Sequence, residues 1–229
     1  MTLSGYLEKV RFFLRDFYGV AYFQQDLTDC INQARIDVIS DTFVTRGLCI
    51  VPTVTNQVQY PFSTVLQALQ NQITLPKGES PVQIISILNI SVYWSATLKP
   101  ALDYMEWGDL NAWFGSFIGF TFIPSVWGMY DLQSFFVYPI PNSAYNMEID
   151  CIYLPNNLAQ PNDIDLLPPT IADNTLIPYK ACAIAKNHQH AYGESERFEQ
   201  MYVRELERRM SGYPAFRIPS RYGNDPRRP

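Results

Sequence analysis

The sequence predicts an α+β protein: N- and C-terminal helices forming a helical bundle, an inserted antiparallel β-domain of sandwich-like character, and an extended C-terminal arm. Three observations predict it. Apolar residues recur every three or four positions near both ends, they alternate with polar residues through the middle, and the last stretch carries arginines and prolines without any period. The 229 residues are 47% hydrophobic, 14% aromatic and 17% charged, a composition that buries a real core and needs no disulfide or metal to hold it. The division that follows is 1–45 for the N-terminal helices, 46–167 for the β-domain, 168–212 for the C-terminal helices and 213–229 for the arm.

Each element has its own signal. Leu3, Leu7, Val10, Leu14 and Phe17 line one helical face opposite Glu8, Lys9, Arg11 and Arg15, and Gly19 is the expected stop. Asp26 and Asp29 resemble a capping box that opens a second helix through Leu27, Ile31, Ala34 and Val38 to about Thr42. After Gly47 the period falls to two. Val58, Tyr60 and Phe62 alternate with polar residues, Pro52, Pro61, Pro76 and Pro81 punctuate the segment, and the β-branched run from Val82 to Trp94 reads as a long strand. Leu102 to Phe114 is open between a short helix and an irregular loop.

Phe136, Tyr138 and Ile140 precede a turn-rich Pro139–Ser143, after which Tyr145, Met147, Ile149, Cys151 and Tyr153 alternate with their neighbours, so a β-hairpin is expected. Asn156 to Pro169, with three prolines, Asp163 and Asp165, reads as an exposed connection. Pro178 suits a first helical turn leading into Ala181, Ile184, Ala185 and His188. Past Gly193 a last helix runs through Phe198, Met201, Tyr202, Leu206 and Met210 until Gly212 and Pro214.

Charge excludes one function class and isolates one segment. Seventeen basic against 22 acidic side chains give −5, which excludes a globally basic nucleic-acid binder. Ser211–Pro229 holds Arg217, Arg221, Arg227 and Arg228 against Asp225, a net of +3, while the remainder carries −8. With Pro214, Pro219, Pro226 and Pro229 in it, this arm builds no core of its own. Docking on a partner is favoured over fraying and over phosphate contacts.

No motif carries chemistry. Cys30, Cys49, Cys151 and Cys182 are scattered, without C-x-x-C or ligand spacing, and read as reduced thiols. His188 and His190 point to different helical faces and make a poor joint metal site. Asp163 and Asp165 are turn formers rather than an acid–base pair, and Gly115 and Gly119 around Ser116 miss the nucleophile-elbow spacing. Both phosphate-loop fingerprints are absent. Trp94, Trp107, Trp113 and Trp127 could stack on bases or sugars, but burial and subunit contacts fit a region without interleaved basic residues better. We therefore assign no catalytic, metal or cofactor-binding residue and expect no cofactor and no enzyme activity. The N-terminus lacks signal-peptide order and no apolar run reaches spanning length, so a soluble, unsecreted protein without membrane contact is expected.

The order of these pieces resembles the tailed-bacteriophage head-to-tail adaptor, or connector, proteins, including the tubular tail proteins of short-tailed phages. The matching segments are Cys30–Arg35, Gln57-Val58-Gln59-Tyr60-Pro61-Phe62, Phe136–Pro141 followed by Ile149–Pro155, and the helical pair in Leu176–Met210. Leu102–Gly128, unusually aromatic, departs most. The resemblance implies a virion protein made in the host cytoplasm that sits at the capsid–tail junction as a ring, commonly of twelve copies, beneath the portal. A tail nozzle or tail tube protein binds its other face, and double-stranded DNA passes through without sequence-specific binding. It further implies that Phe216, Arg217, Ile218, Arg221, Tyr222, Arg227 and Arg228 contact the portal. Net acidity fits a conduit to which DNA does not stick. Another neck or nozzle protein, or a carbohydrate-binding tail module built on the Trp107–Trp127 aromatics, are the rival readings.

Overall fold

In a computed structural model, residues 1–72, 81–95, 97–116, 119–165, 167 and 175–210 are described. Their elements are helices and strands in an α+β arrangement. The chain divides into two compact units: Met1–Val44 joined with the residues from Asn157 onward, and Thr45–Asn156 inserted between them in sequence.

The first unit holds α1 (Leu3–Leu14), α2 (Gln24–Thr42), α5 (Leu176–His188) and α6 (Tyr192–Met210). In α1 the buried face is Leu3, Tyr6, Leu7, Val10 and Leu14, the spacing of an amphipathic helix, and the Thr2 hydroxyl caps the Gly5 amide. Phe17 does not continue that face. Arg15 turns left-handed at φ 58° and ends the helix four residues before Gly19, leaving Phe17 64% exposed. Likewise α2 starts at Gln24 after an uncapped Phe23, so Asp26 lies within its first turn, where an acidic side chain favours the helix dipole, and no capping box forms. Helix α5 contacts α1, α2 and α6. The break before α6 falls at His190, φ 59°, and Gly193 lies inside the helix.

Buried polar contacts hold this unit's distant segments together. Arg35, 2% exposed, donates through Nη2 to Asp165 at 2.9 Å and through Nε at 3.2 Å, while the Tyr6 hydroxyl donates to the same carboxylate at 2.7 Å. The Asn32 amide brackets the Leu158 backbone, donating to its carbonyl at 3.0 Å and accepting its N–H at 2.9 Å. The amides of Leu3 and Ser4 donate to the carbonyls of Asp163 and Pro161. The connection after the strands is therefore only partly the exposed loop its composition implies: Leu158, Asp165 and Leu167 are buried in it. Asp163 does make a turn, accepting the N–H groups of Ala159 and Gln160, whereas Asp165 is a buried ion-pair partner.

The second unit contains β1 (Arg46–Pro52), β2 (Gln59–Pro61), α3 (Phe62–Gln72), β3 (Pro81–Val92), β4 (Asp103–Tyr104), α4 (Trp107–Ser116), β5 (Thr121–Phe122), β6 (Val126–Met129), β7 (Ser134–Tyr138), β8 (Ile140–Pro141) and β9 (Asn146–Pro155). One sheet has the order β1-β9-β3, antiparallel throughout; a second runs β2-β7-β6-β4; β5 pairs β8. The long ladders are antiparallel, and the two-residue pairs β4–β6 and β5–β8 are parallel. Both larger sheets and α3 contribute to one core, which includes Cys49, Val51, Tyr60, Val65, Leu69, Ile90, Phe135, Val137, Met147 and Ile149.

Two expectations change here, and one left open is settled. β7 and β9 form no hairpin: they belong to different sheets, and the hairpin is β6–β7, with Trp127 opposite Val137. Alternation reports which side chains face a core and not which strand lies alongside, so it could not distinguish the two pairings. Phe62 ends no strand but begins α3, whose buried Phe62, Val65 and Leu69 follow helical spacing. Leu102–Phe114 resolves into β4 and α4. Helix α3 lies close on β1 because Gly47 has no side chain there; a Cβ would come 2.6 Å from Leu69 Cδ1.

Candidate functional site

All seven arm residues singled out by the sequence, Phe216, Arg217, Ile218, Arg221, Tyr222, Arg227 and Arg228, lie outside the described residues. What the described residues offer is surface, and the α1–α2 connection is a strongly apolar part of it. Phe17, Tyr18, Val20 and Phe23 are 64%, 93%, 87% and 82% exposed. Nearby Phe12 is exposed too and meets the Phe17 ring edge-on at 6.0 Å.

This apolar connection is held in place from below. The buried Asp16 carboxylate accepts the N–H groups of Val20 (2.9 Å), Ala21 (3.2 Å) and Tyr22 (3.2 Å) and pairs with Arg11 at 3.2 Å. Burial alone pushes an acid up, but these backbone donors and the Arg11 guanidinium outweigh it and hold the Asp16 carboxyl below its ordinary value. Tyr22 is tucked inward, its hydroxyl donating to the Gln189 side chain at 2.6 Å. The exposed rings thus sit on a connection whose backbone is fixed by hydrogen bonds.

Beside it lies a groove of about 470 Å³ floored by Phe13, Leu14, Phe198 and Met201 and rimmed by Arg15, Lys186, Glu194 and Arg197. Lys186 is paired with Glu194 at 2.7 Å. Arg15 and Arg197 make no direct ion pair among the described residues, but both attract the same Glu194 carboxylate, so the rim sets three cations against one acid and is net positive.

In the second unit the aromatics pack mainly on one another. Trp127 is buried; Trp107 meets Phe136 at 4.6 Å and Tyr130 at 4.9 Å, and Phe114 meets Tyr138 at 5.0 Å. Trp94 and Trp113 are each 43% exposed, and Phe120 and Phe122 stack at 6.4 Å with both rings half in solvent. A shallower groove of about 300 Å³ is lined by Phe62, Leu66, Val82, Ile84 and Leu132 among others. The backbone of Ile50 on the outer edge of β1 is closed by the Gln72 amide, which accepts its N–H at 2.7 Å and donates to its carbonyl at 2.8 Å.

Chemistry-bearing residues do not converge on these surfaces. The four cysteines are buried and unpaired in disulfides. Burial pushes the Cys30 thiol up to about 11 and the Cys182 thiol up to about 12, which makes both poor nucleophiles. His188 lies 4.0 Å from the Cys30 sulfur, and His190 hydrogen-bonds the Tyr192 hydroxyl at 2.9 Å; both are exposed. Among the described residues no three His, Cys, Asp or Glu side chains gather in a metal-holding group, and no helix is long and apolar enough to cross a membrane.

The sequence reading missed the α1–α2 surface because it placed Phe17 on the buried stripe. The signal was present: Phe17-Tyr18-Gly19-Val20-Ala21-Tyr22-Phe23 is an unbroken apolar run between two helices, where a connection is ordinarily polar. An apolar connection held rigid at the surface is the mark of a contact surface rather than of a reaction centre.

No curated protein matches the sequence. The family model described as SU10 adaptor protein matches residues 1–224, nearly the whole chain. With a family match of that extent, the chain belongs to the SU10 adaptor protein family, the adaptors of bacteriophage virions.

Proposed function

We propose that copies of this chain assemble into a closed ring, twelve in number as is common for such adaptors, that joins the portal to the tail at the capsid–tail junction. The single observation that carries the reading is the family match through residue 224, which takes in both units and most of the arm. In this reading the helical unit and the arm 213–229 face the portal. The inserted β unit, Thr45–Asn156, faces a tail nozzle or tail tube protein.

The arm supplies the portal contact. Arg217, Arg221, Arg227 and Arg228 suit interface ion pairs, Phe216, Ile218 and Tyr222 suit apolar pockets, and a segment with four prolines gains order from a partner's surface. The genome leaves through the ring without sequence-specific contact, since a chain of net charge −5 repels phosphate. The role is structural.

Electron microscopy of the full chain, alone and mixed with its portal, tests this reading. A ring stacked coaxially beneath the portal is expected; absence of any complex at micromolar concentrations overturns it. In a portal pull-down, a chain ending at Met210 is expected to lose most of its binding, and equal capture would remove the arm from the proposal.

A further inference from the structure

We propose that adjacent copies of this chain engage through the α1–α2 connection: Phe17, Tyr18, Val20 and Phe23 of one copy seat in the groove floored by Phe13, Leu14, Phe198 and Met201 of the next. The inference rests on the ring-forming reading above and names the contact that would hold the ring. Four side chains of this size, exposed by 64% to 93%, form an apolar surface that a lone chain leaves in water. The groove stands open in the same chain, so knob and groove do not satisfy one another internally.

Charge selects a second copy as the occupant. Beside the knob, in the first two turns of α2, Asp26 and Asp29 are exposed, and among the described residues neither meets a cation. The groove rim carries Arg15, Lys186 and Arg197 against the single acid Glu194, an excess of positive charge with Arg15 and Arg197 outside the direct Lys186–Glu194 pair. An apolar knob with two acids therefore matches an apolar groove with two arginines, and both halves are encoded in one sequence. A contact made of two different patches is heterologous, the type that closes rings. The knob needs little ordering on binding because Asp16 already fixes its backbone, which lowers the entropy lost on association.

The test uses the full chain in two differently tagged variants, Tyr18→Cys and Met201→Cys, mixed and treated with a short bis-maleimide; the four native cysteines are buried. A mixed-tag covalent dimer is expected in the mixture and in neither variant alone. Adding Arg197→Glu to the groove variant should weaken the cross-link by about tenfold or more, and Asp29→Arg in the knob variant should restore it. Rings seen by electron microscopy without a mixed dimer overturn this contact and leave the ring reading standing. Mixed dimers without rings, with or without portal, keep the contact and overturn the ring. Neither dimers nor rings overturn both.

Discussion

The two units solve the same problem, joining separated segments into one core, by different means. The helical unit is assembled from Met1–Val44 and the chain after Asn157, and its joints are buried polar groups: Arg35 with Asp165 and Tyr6, and Asn32 with the Leu158 backbone. The β unit is one uninterrupted stretch, Thr45–Asn156, with a mainly apolar core cluster, and the polar residues buried in it are the uncharged Thr45, Thr53, Ser91 and Ser134. Apolar burial is strong but non-directional, while a hydrogen-bonded ion pair is satisfied in one geometry. A discontinuous unit gains from the second property, because a returning segment has to find a single register on helices made long before it.

The largest expected effect breaks this contrast at its centre. Asp165→Ala takes the carboxylate away from the buried Arg35 guanidinium and should destabilise the helical unit by about 3–5 kcal/mol. Replacing both partners by Arg35→Met with Asp165→Leu should recover most of that loss, read by urea denaturation with hydrogen exchange followed separately in α2 and β9. A loss under about 1 kcal/mol in the single variant would show that the pair does not hold the joint. In the β unit, Leu69→Ala opens a void between α3 and β1 and should cost about 2–5 kcal/mol, with exchange rising in β1 before it rises in α2.

A smaller change sharpens the comparison at the sheet edge. Gln72→Ala uncovers the Ile50 N–H and carbonyl, with a stability loss of about 0.5–1.5 kcal/mol and a larger tendency to aggregate through the freed edge, measured by light scattering on heating. The smallest effect concerns the knob. The Asp16 carboxyl is held below its ordinary value of 3.8, so its contribution is present above that pH and is lost as pH falls through the lowered value. Acidification should loosen residues 17–23 before either core melts, and Asp16→Asn should show the loosening at neutral pH, read from backbone amide exchange at Val20 and Tyr22.

Much of the fold was legible in sequence. The α1 stripe from Leu3 to Leu14, the end of α2 at Thr42, the β3 run and the inward alternation of Met147, Ile149 and Cys151 all follow from periods of 3.6 and 2, which are properties of local backbone geometry. The period misled where an element ended. Phe17 extends the α1 pattern on paper but lies past a left-handed Arg15, and Phe62 fits a strand period as well as the helix it begins. Of the contact surface, the apolar run 17–23 was visible but was absorbed into a helix face. The groove was not visible, because Phe13 and Met201 are far apart in sequence and meet only by packing.

The sequence by itself determined the α+β class, the paired helices at either end of a strand-rich middle, the lack of a recognisable catalytic motif and the charge contrast between the arm and the rest of the chain. Those are sums and periods over neighbouring residues. Tertiary structure alone decided that β9 lies between β1 and β3 instead of beside β7, that Asp165 is an ion-pair partner while Asp163 is a turn former, and that the rings of Phe17, Tyr18 and Phe23 face solvent. Each depends on which distant group arrives next to a residue. That is settled by packing and hydrogen-bond geometry across the fold, to which local periodicity is blind.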